Sequence, residues 1–262
     1  MSAFELLKWY ADCVSERGDV AILYQAKLCL GGRSIDYQSL LLKDRDSPAS
    51  IQYSLRRGSP LSFEDRRIEW QSPQWKARGK WSDLGAAHCE MLYESDSGAL
   101  EWNCIAPRAA SSMQIGSSNP CQGWGYAEQL RLSLPPWRLP IRRLRWGRFV
   151  NASDALVWID WSGPYNKQVV YLNGSPIPAE SINDEEVVLA DGKATLKLED
   201  KQVIRDGKLG ATALSVFPRL SNTFPAAVLD IRECKWLSRA VLRRHGCPDS
   251  AGMAIHEVVQ WP

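Results

Sequence analysis

Residues 123–134, Gly-Trp-Gly-Tyr-Ala-Glu-Gln-Leu-Arg-Leu-Ser-Leu, alternate with a period of two. Successive side chains of a strand point to opposite faces. One face therefore carries Trp124, Tyr126, Glu128, Leu130, Leu132 and Leu134, and the other Gly123, Gly125, Ala127, Gln129, Arg131 and Ser133. Comparable β-branched and aromatic runs recur at 19–30, 34–42, 87–95, 99–106, 154–161, 167–174, 226–234 and 253–261. Turn signals lie between them: Leu30-Gly31-Gly32, Asp96-Ser97-Gly98, Asn173-Gly174 and Asp191-Gly192. Short runs punctuated in this way predict an all-β, antiparallel protein. Only residues 1–8 and 235–245 carry enough helical pattern to predict short helices.

The 262 residues allow one large domain or two. Trp9-Tyr10-Ala11-Asp12 is echoed by Trp124-Gly125-Tyr126-Ala127-Glu128, which favours two halves, each opening on one copy. The linker then falls in Gly116-Ser117-Ser118-Asn119-Pro120, giving β domains over 1–118 and 119–262. A second irregular stretch, Leu134 to Leu144, holds Pro135, Pro136 and Pro140, which cannot donate to a sheet ladder.

Composition excludes several classes. Hydrophobic residues at 45% and charged residues at 24% exclude wholesale disorder. A net charge of +2 gives no reason to expect nucleic acid as a partner. Seven cysteines, odd in number and never spaced as CxxC, fit reduced thiols, and three histidines are too few for a multi-histidine metal site. No metal and no cofactor is expected. The first residues, with Glu5, Lys8 and Asp12, do not read as a signal peptide, and no apolar run is long enough to span a bilayer; a cytoplasmic protein is expected. Twelve tryptophans favour an aromatic-lined cavity or heavily packed β faces.

Against this background, polar residues on apolar faces become candidates. Glu128 shares its face with Trp124 and Tyr126. Burial disfavours a charged carboxylate, and the protonated form is what a general acid needs at neutral pH. Asp12, beside Tyr10, reads as a structural echo of Glu128. Arg148 falls with Trp146, Glu257 with Ile255 and Trp261, and Asp160 with Trp158. Each of these has a structural reading as well: a buried Arg–Glu pair closing a barrel under Trp, a wet edge strand for Glu257, a turn cap for Asp160. The segment 135–148 holds Arg138, Arg142, Arg143, Arg145 and Arg148 among Trp and Leu. It reads either as a solvated loop face or as a surface for peripheral contact with an anionic membrane. A Gly-rich phosphate loop, a G-x-S-x-G elbow and an H-E-x-x-H motif are all missing.

Trp9-Tyr10, Gly123-Trp124-Gly125-Tyr126-Ala127-Glu128, Trp146-Gly147-Arg148 and Ala254-Ile255-His256-Glu257 together resemble the two-domain lipocalin-like (calycin) proteins. That family includes carotenoid 1,2-hydratases, with tocopherol cyclases and fungal pericyclases as relatives. The resemblance implies two tandem antiparallel barrels or half-barrels, with an apolar ligand site between or inside them. It maps the family's acid onto Glu128. It also implies a cofactor-independent hydratase, cyclase or isomerase acting on an isoprenoid- or polyketide-like molecule. In that reading Glu128 and Tyr126 are catalytic, and Trp124, Trp146, Arg148, Trp158, Asp160 and Glu257 bind the substrate. The competing reading is a lipocalin-like carrier that leaves its apolar ligand unchanged.

Overall fold

The structure, a computed structural model, describes residues 4–211 and 224–262, with Asp191 described by its backbone alone. The chain divides into two compact units at Pro135/Pro136. Among the described residues each unit is built on one antiparallel sheet curled into a half-barrel.

The first unit holds β1 (Phe4–Ser15), β2 (Val20–Leu30), β3 (Arg33–Lys43), β4 (Ser50–Ser54), β5 (Ser62–Glu64), β6 (Arg67–Ser72), β7 (Ala77–Ser82), β8 (His88–Ser95), β9 (Gly98–Ile115) and β10 (Cys121–Leu132). Their order is β4-β3-β2-β1-β10-β9-β7-β6-β5, with β8 also paired to β9. The second holds β11 (Arg143–Val150), β12 (Ala155–Ser162), β13 (Lys167–Leu172), β14 (Ser175–Pro176), β15 (Ala179–Ile182), β16 (Glu186–Leu189), β17 (Ala194–Lys208), β18 (Arg232–Arg244) and β19 (Ser250–Gln260). Their order is β14-β13-β12-β11-β19-β18-β17-β16-β15.

Local chemistry explains the hairpins. Leu30 pairs with Arg33 across Gly31 (φ 55°) and Gly32 (φ 80°), and Leu172 pairs with Ser175 across Asn173 (φ 49°) and Gly174 (φ 85°). Two successive positive φ values make the two-residue turn whose twist matches its strands, and Gly and Asn adopt them at least cost.

Two expectations about the units need correction. The stretch Gly116–Pro120 is the turn of the β9–β10 hairpin, and β10 pairs with β1 and β9 inside the first sheet. The division falls instead in the proline stretch, where Pro135 and Pro136 have no N–H to continue a ladder. The Trp-Tyr-Ala-Asp echo likewise does not mark two domain starts, because its two copies lie on neighbouring antiparallel strands of one sheet. The real internal repetition is topological. In each unit the opening strand (β1, β11) pairs with both the second strand and the last one (β10, β19), beyond which lies the penultimate (β9, β18).

Both predicted helices are strands over the residues described; residues 1–3 of the first lie outside the described residues. Residues 4–15 form β1, and 232–244 form β18, where Ser238, Ala240 and Leu242 turn inward while Arg239 and Arg243 are exposed. Pairing with β17 and β19 outweighs the weak helical pattern. The run 226–234 begins as a single helical turn, Ala226–Leu229, and becomes strand only at Arg232.

The first core gathers Ala11, Cys13, Leu23, Leu40, Trp70 and Trp81, and the second Phe149, Leu156, Trp158, Val187, Leu196 and Leu242. Each large side chain so buried contributes about 1.5–3 kcal/mol. Among the described residues no helix is long and apolar enough to cross a membrane.

Candidate active site

On β1 and β10 the residues facing the first core are Ala11, Cys13 and Ala127. Tyr10, Asp12, Tyr126 and Glu128 occupy the other face and are buried as well, at 2%, 0%, 0% and 7% exposure. Register sets Tyr10 directly opposite Glu128 and Asp12 directly opposite Tyr126. The four side chains thus form a box in which each tyrosine has a carboxylate two residues further along its own strand and another across from it. The Tyr126 hydroxyl donates to Glu128 Oε2 at 2.7 Å, and the Tyr10 hydroxyl to Asp12 Oδ2 at 2.8 Å. Tyr10 also meets Tyr126 and Tyr24 edge-on, with ring centroids 5.9 and 5.1 Å apart.

A third strand completes the enclosure, and an irregularity decides how. Opposite Gly125, Ala127 and Glu128 the register on β9 runs Ala109, Ala106, Cys104, so β9 carries extra residues at Pro107–Arg108 and at Ile105. An unbroken strand would put Trp102, Cys104 and Ala106 on one face. The bulge separates them: Ala106 packs in the core, while Trp102 turns to the Glu128 side and donates its indole N–H to Glu128 Oε2 at 2.6 Å. Cys104 lies directly opposite Glu128. Pro107, without an N–H, suits the break.

Two donors therefore converge on one carboxyl oxygen. Burial, and then the neighbouring Cys104 and Glu128, hold the Tyr126 phenol well above its ordinary value, so it stays a hydrogen-bond donor. Burial likewise pushes the Cys104 thiol up. With Oε2 accepting twice, the Glu128 carboxyl is held in one orientation.

Trp124 shares this face near the start of β10. It is half-buried and lies under the Arg108 guanidinium, 5.5 Å from the ring centroid.

The remaining candidates belong to the second unit and do not form one group there. Trp146, Arg148 and Glu257 share the face of β11 and β19 turned away from the core, with Trp146 opposite Glu257 and Arg148 opposite Ile255. Glu257 is ion-paired with Lys235, which is 1% exposed, lies 3.9 Å from Glu233, and places its ammonium 5.1 Å from the centre of the Trp146 ring. Arg148 is fully buried and donates to the Met253 carbonyl at 3.2 Å. Trp158 is on the opposite face, inside the second core and against Gly147. Asp160, on that same side, is half-buried near the strand end, opposite Arg145 and Gln168.

In each unit a glutamate of the last strand faces away from the core: Glu128, opposite Tyr10 and Cys104, and Glu257, opposite Trp146 and Lys235. Glu128 accepts from the Trp102 indole and the Tyr126 phenol, and Glu257 is ion-paired with Lys235.

Trp102, Cys104, Tyr10 and Lys235 are not legible as site residues from their own strands. Only the Tyr-x-acid repeat hinted at Tyr10. His256, 3% exposed, is stacked on Trp236 with centroids 5.1 Å apart and bonded to the Ser238 hydroxyl at 2.8 Å. Burial first, then the Lys201 charge, lowers its pKa to about 4, so it is neutral at pH 7. The arginines of 135–148 are dispersed: Arg138 and Arg142 are exposed, Arg145 pairs with Asp184 at 3.0 Å, and Arg148 is buried. Among the described residues no group of three or more His, Cys, Asp or Glu is placed to hold a metal ion.

No protein-family model matches the sequence, and no curated protein is similar to it. Solved structures are. Kievitone hydratase from Nectria haematococca superposes with a TM-score of 0.58 at 9% identity, over 99% of this chain and 90% of that one. CghA, solved with Sch210972, superposes with a TM-score of 0.56 at 9% identity, over 98% of this chain and 89% of that one. At that identity the likeness is one of fold: the chain has the two-domain lipocalin-like architecture that its motifs suggested.

Proposed function

We propose that this two-domain lipocalin-like chain is an enzyme that acts on a hydrophobic small molecule by acid catalysis at Glu128. The observation that carries the reading is the convergence of the Trp102 and Tyr126 donors on one oxygen of a buried carboxyl, among tyrosine rings. A carboxyl so held delivers its proton from one fixed direction, and transfer to an alkene or enol needs no further group from the protein. Aromatic faces stabilise a developing cation by about 2 kcal/mol when water is excluded. Capture of that cation by water gives hydration, capture by an internal nucleophile gives cyclisation, and loss of a proton elsewhere gives isomerisation. Support also comes from the likeness in fold to a hydratase and to CghA. We extend to this chain the substrate class of the family resemblance, an isoprenoid- or polyketide-like molecule, with Tyr126 orienting the acid and Trp124 as part of the apolar wall.

The test uses the small molecules extracted from the protein purified from its own host, incubated with fresh protein and followed by mass spectrometry. Wild type is expected to change the mass or retention of one species. Glu128→Gln is expected to bind that species within a few-fold and leave it unchanged. Full turnover by Glu128→Gln refutes the acid role. Return of every extracted species unchanged by wild type refutes catalysis and favours the carrier reading.

A further inference from the structure

At one end of the first half-barrel the β1–β2 hairpin, the segment between β3 and β4, and the β9–β10 turn surround a cavity of about 1000 Å³. Its lining includes Cys121, at the start of β10, and Glu128 lies seven residues further along. At strand rise that is about 23 Å, and Glu128 points to the opposite face of the sheet. The cavity is therefore a separate site from the acid.

Its inner wall is apolar and continuous with the core. Leu42, Ile115 and Cys121 pack directly on the core cluster, and Ala21 belongs to it. The Cys121 thiol donates to the Cys13 carbonyl at 3.6 Å while the Cys13 thiol donates to the Cys121 carbonyl at 3.2 Å. The adjoining Cys13 thiol, and then burial, keep Cys121 protonated, so this part of the wall is neutral. The mouth is different: it carries the carboxylates of Glu16, Asp19 and Asp44 and one guanidinium, Arg17. Asp19 is fixed by the Ser15 hydroxyl at 2.9 Å and the Arg45 amide at 3.1 Å. Two cations, Lys43 and Arg45, adjoin the mouth and Asp46 adds a fourth carboxylate, so the carboxylates still exceed the cations by one. The Lys43 ammonium donates to the Asp44 and Arg45 carbonyls at 3.2 and 3.1 Å, which holds the loop in place, and Arg45 lies 3.9 Å from Asp46.

We infer that this end of the first half-barrel is a binding site for a small cationic amphiphile, an organic amine with an apolar body. The apolar part rests on Ala21, Leu42, Ile115 and Cys121, and the ammonium lies among the carboxylates of the mouth. A cavity of this size accommodates a drug-sized molecule, and an apolar floor with a few polar groups at the rim is the usual build of such sites. The acidic excess at the mouth selects the sign of the head group.

Calorimetric titration with decyltrimethylammonium and with decyl sulfate, both below their micelle-forming concentrations, tests the site. The ammonium is expected to bind one-to-one, about tenfold tighter than the sulfate at low salt. Glu16, Asp44 and Ser50 are exposed rim residues, so their substitution leaves the core intact. Glu16→Lys/Asp44→Lys is expected to remove the preference for ammonium, and Ser50→Trp to weaken the binding of both probes by obstructing the cavity. Equal affinity for the two probes in wild type, or ammonium binding untouched by both variants, overturns the inference. Glu128→Gln should bind the ammonium as wild type does, so failure here is distinguishable from failure of the acid role.

Discussion

Replacing Lys235 by Met separates the two readings of Glu257. Lys235 is 1% exposed and its partner carboxylate has a side chain only 13% exposed, so both charges lie largely out of water. Removing the ammonium breaks this buried pair, and deleting one member of such a pair costs about 3–5 kcal/mol. Met keeps most of the apolar stem over Trp146, so the packing loss is small by comparison. The converse change, Glu257→Leu, should cost less, about 1–2 kcal/mol, because Glu233 stands 3.9 Å from the ammonium and partly takes over. The double variant Lys235→Met/Glu257→Leu removes both charges and should return to within about 1 kcal/mol of wild type. The assay is urea unfolding followed by far-ultraviolet circular dichroism, with midpoint shifts at constant slope converted to free energy. A cost for Lys235→Met below about 1 kcal/mol, or a double variant equal to the sum of the singles, refutes the argument. In that event the pair is not a coupled buried unit, and Glu257 returns as a candidate ligand-binding group.

Three further outcomes follow from single features. A Cβ on Gly147 would lie 2.1 Å from Cζ2 of Trp158, which is 2% exposed, so Gly147→Ala should cost about 1–3 kcal/mol in the same urea titration. His256, depressed by burial to about 4 from 6.5, is protonated more readily in the unfolded chain. Stability is therefore complete above about pH 6.5 and lost as the pH falls towards 4, by up to about 3 kcal/mol; His256→Gln should flatten that window in unfolding curves taken across it. Trp102→Phe removes one of the two donors on Glu128 Oε2 and part of a side chain 1% exposed, so a loss of about 2–3 kcal/mol is expected by thermal melting, and a wild-type melt would refute it.

The candidate site was partly legible in the chain itself. Glu128 and Tyr126 stand two apart on one strand, so their shared face needs only the period of the pleat, and the hydrogen bond between them agrees. Trp158 and Asp160 obey the same rule on β12, yet they face away from Trp146 and Arg148 of the paired β11. A strand read alone shows which residues share a face but not which face of the sheet that is. For the same reason the acid expected on an apolar inner face lies opposite the first core.

The all-β class and the tight hairpin turns were set by the sequence alone, because alternation and the positive φ of Gly31-Gly32 and Asn173-Gly174 are properties of a few adjacent residues. The pairing of β10 with β1, more than a hundred residues earlier, was not, and it recast an apparent domain repeat as two neighbouring strands. Nor could the strand pattern of 99–106 foretell that a bulge beside Pro107 would turn Trp102 towards Glu128, or that Lys235 would neutralise Glu257. Local conformation depends on neighbours in sequence. Partners across a sheet are chosen by the packing of the whole unit, since a shift of one residue in register sends every side chain to the other face.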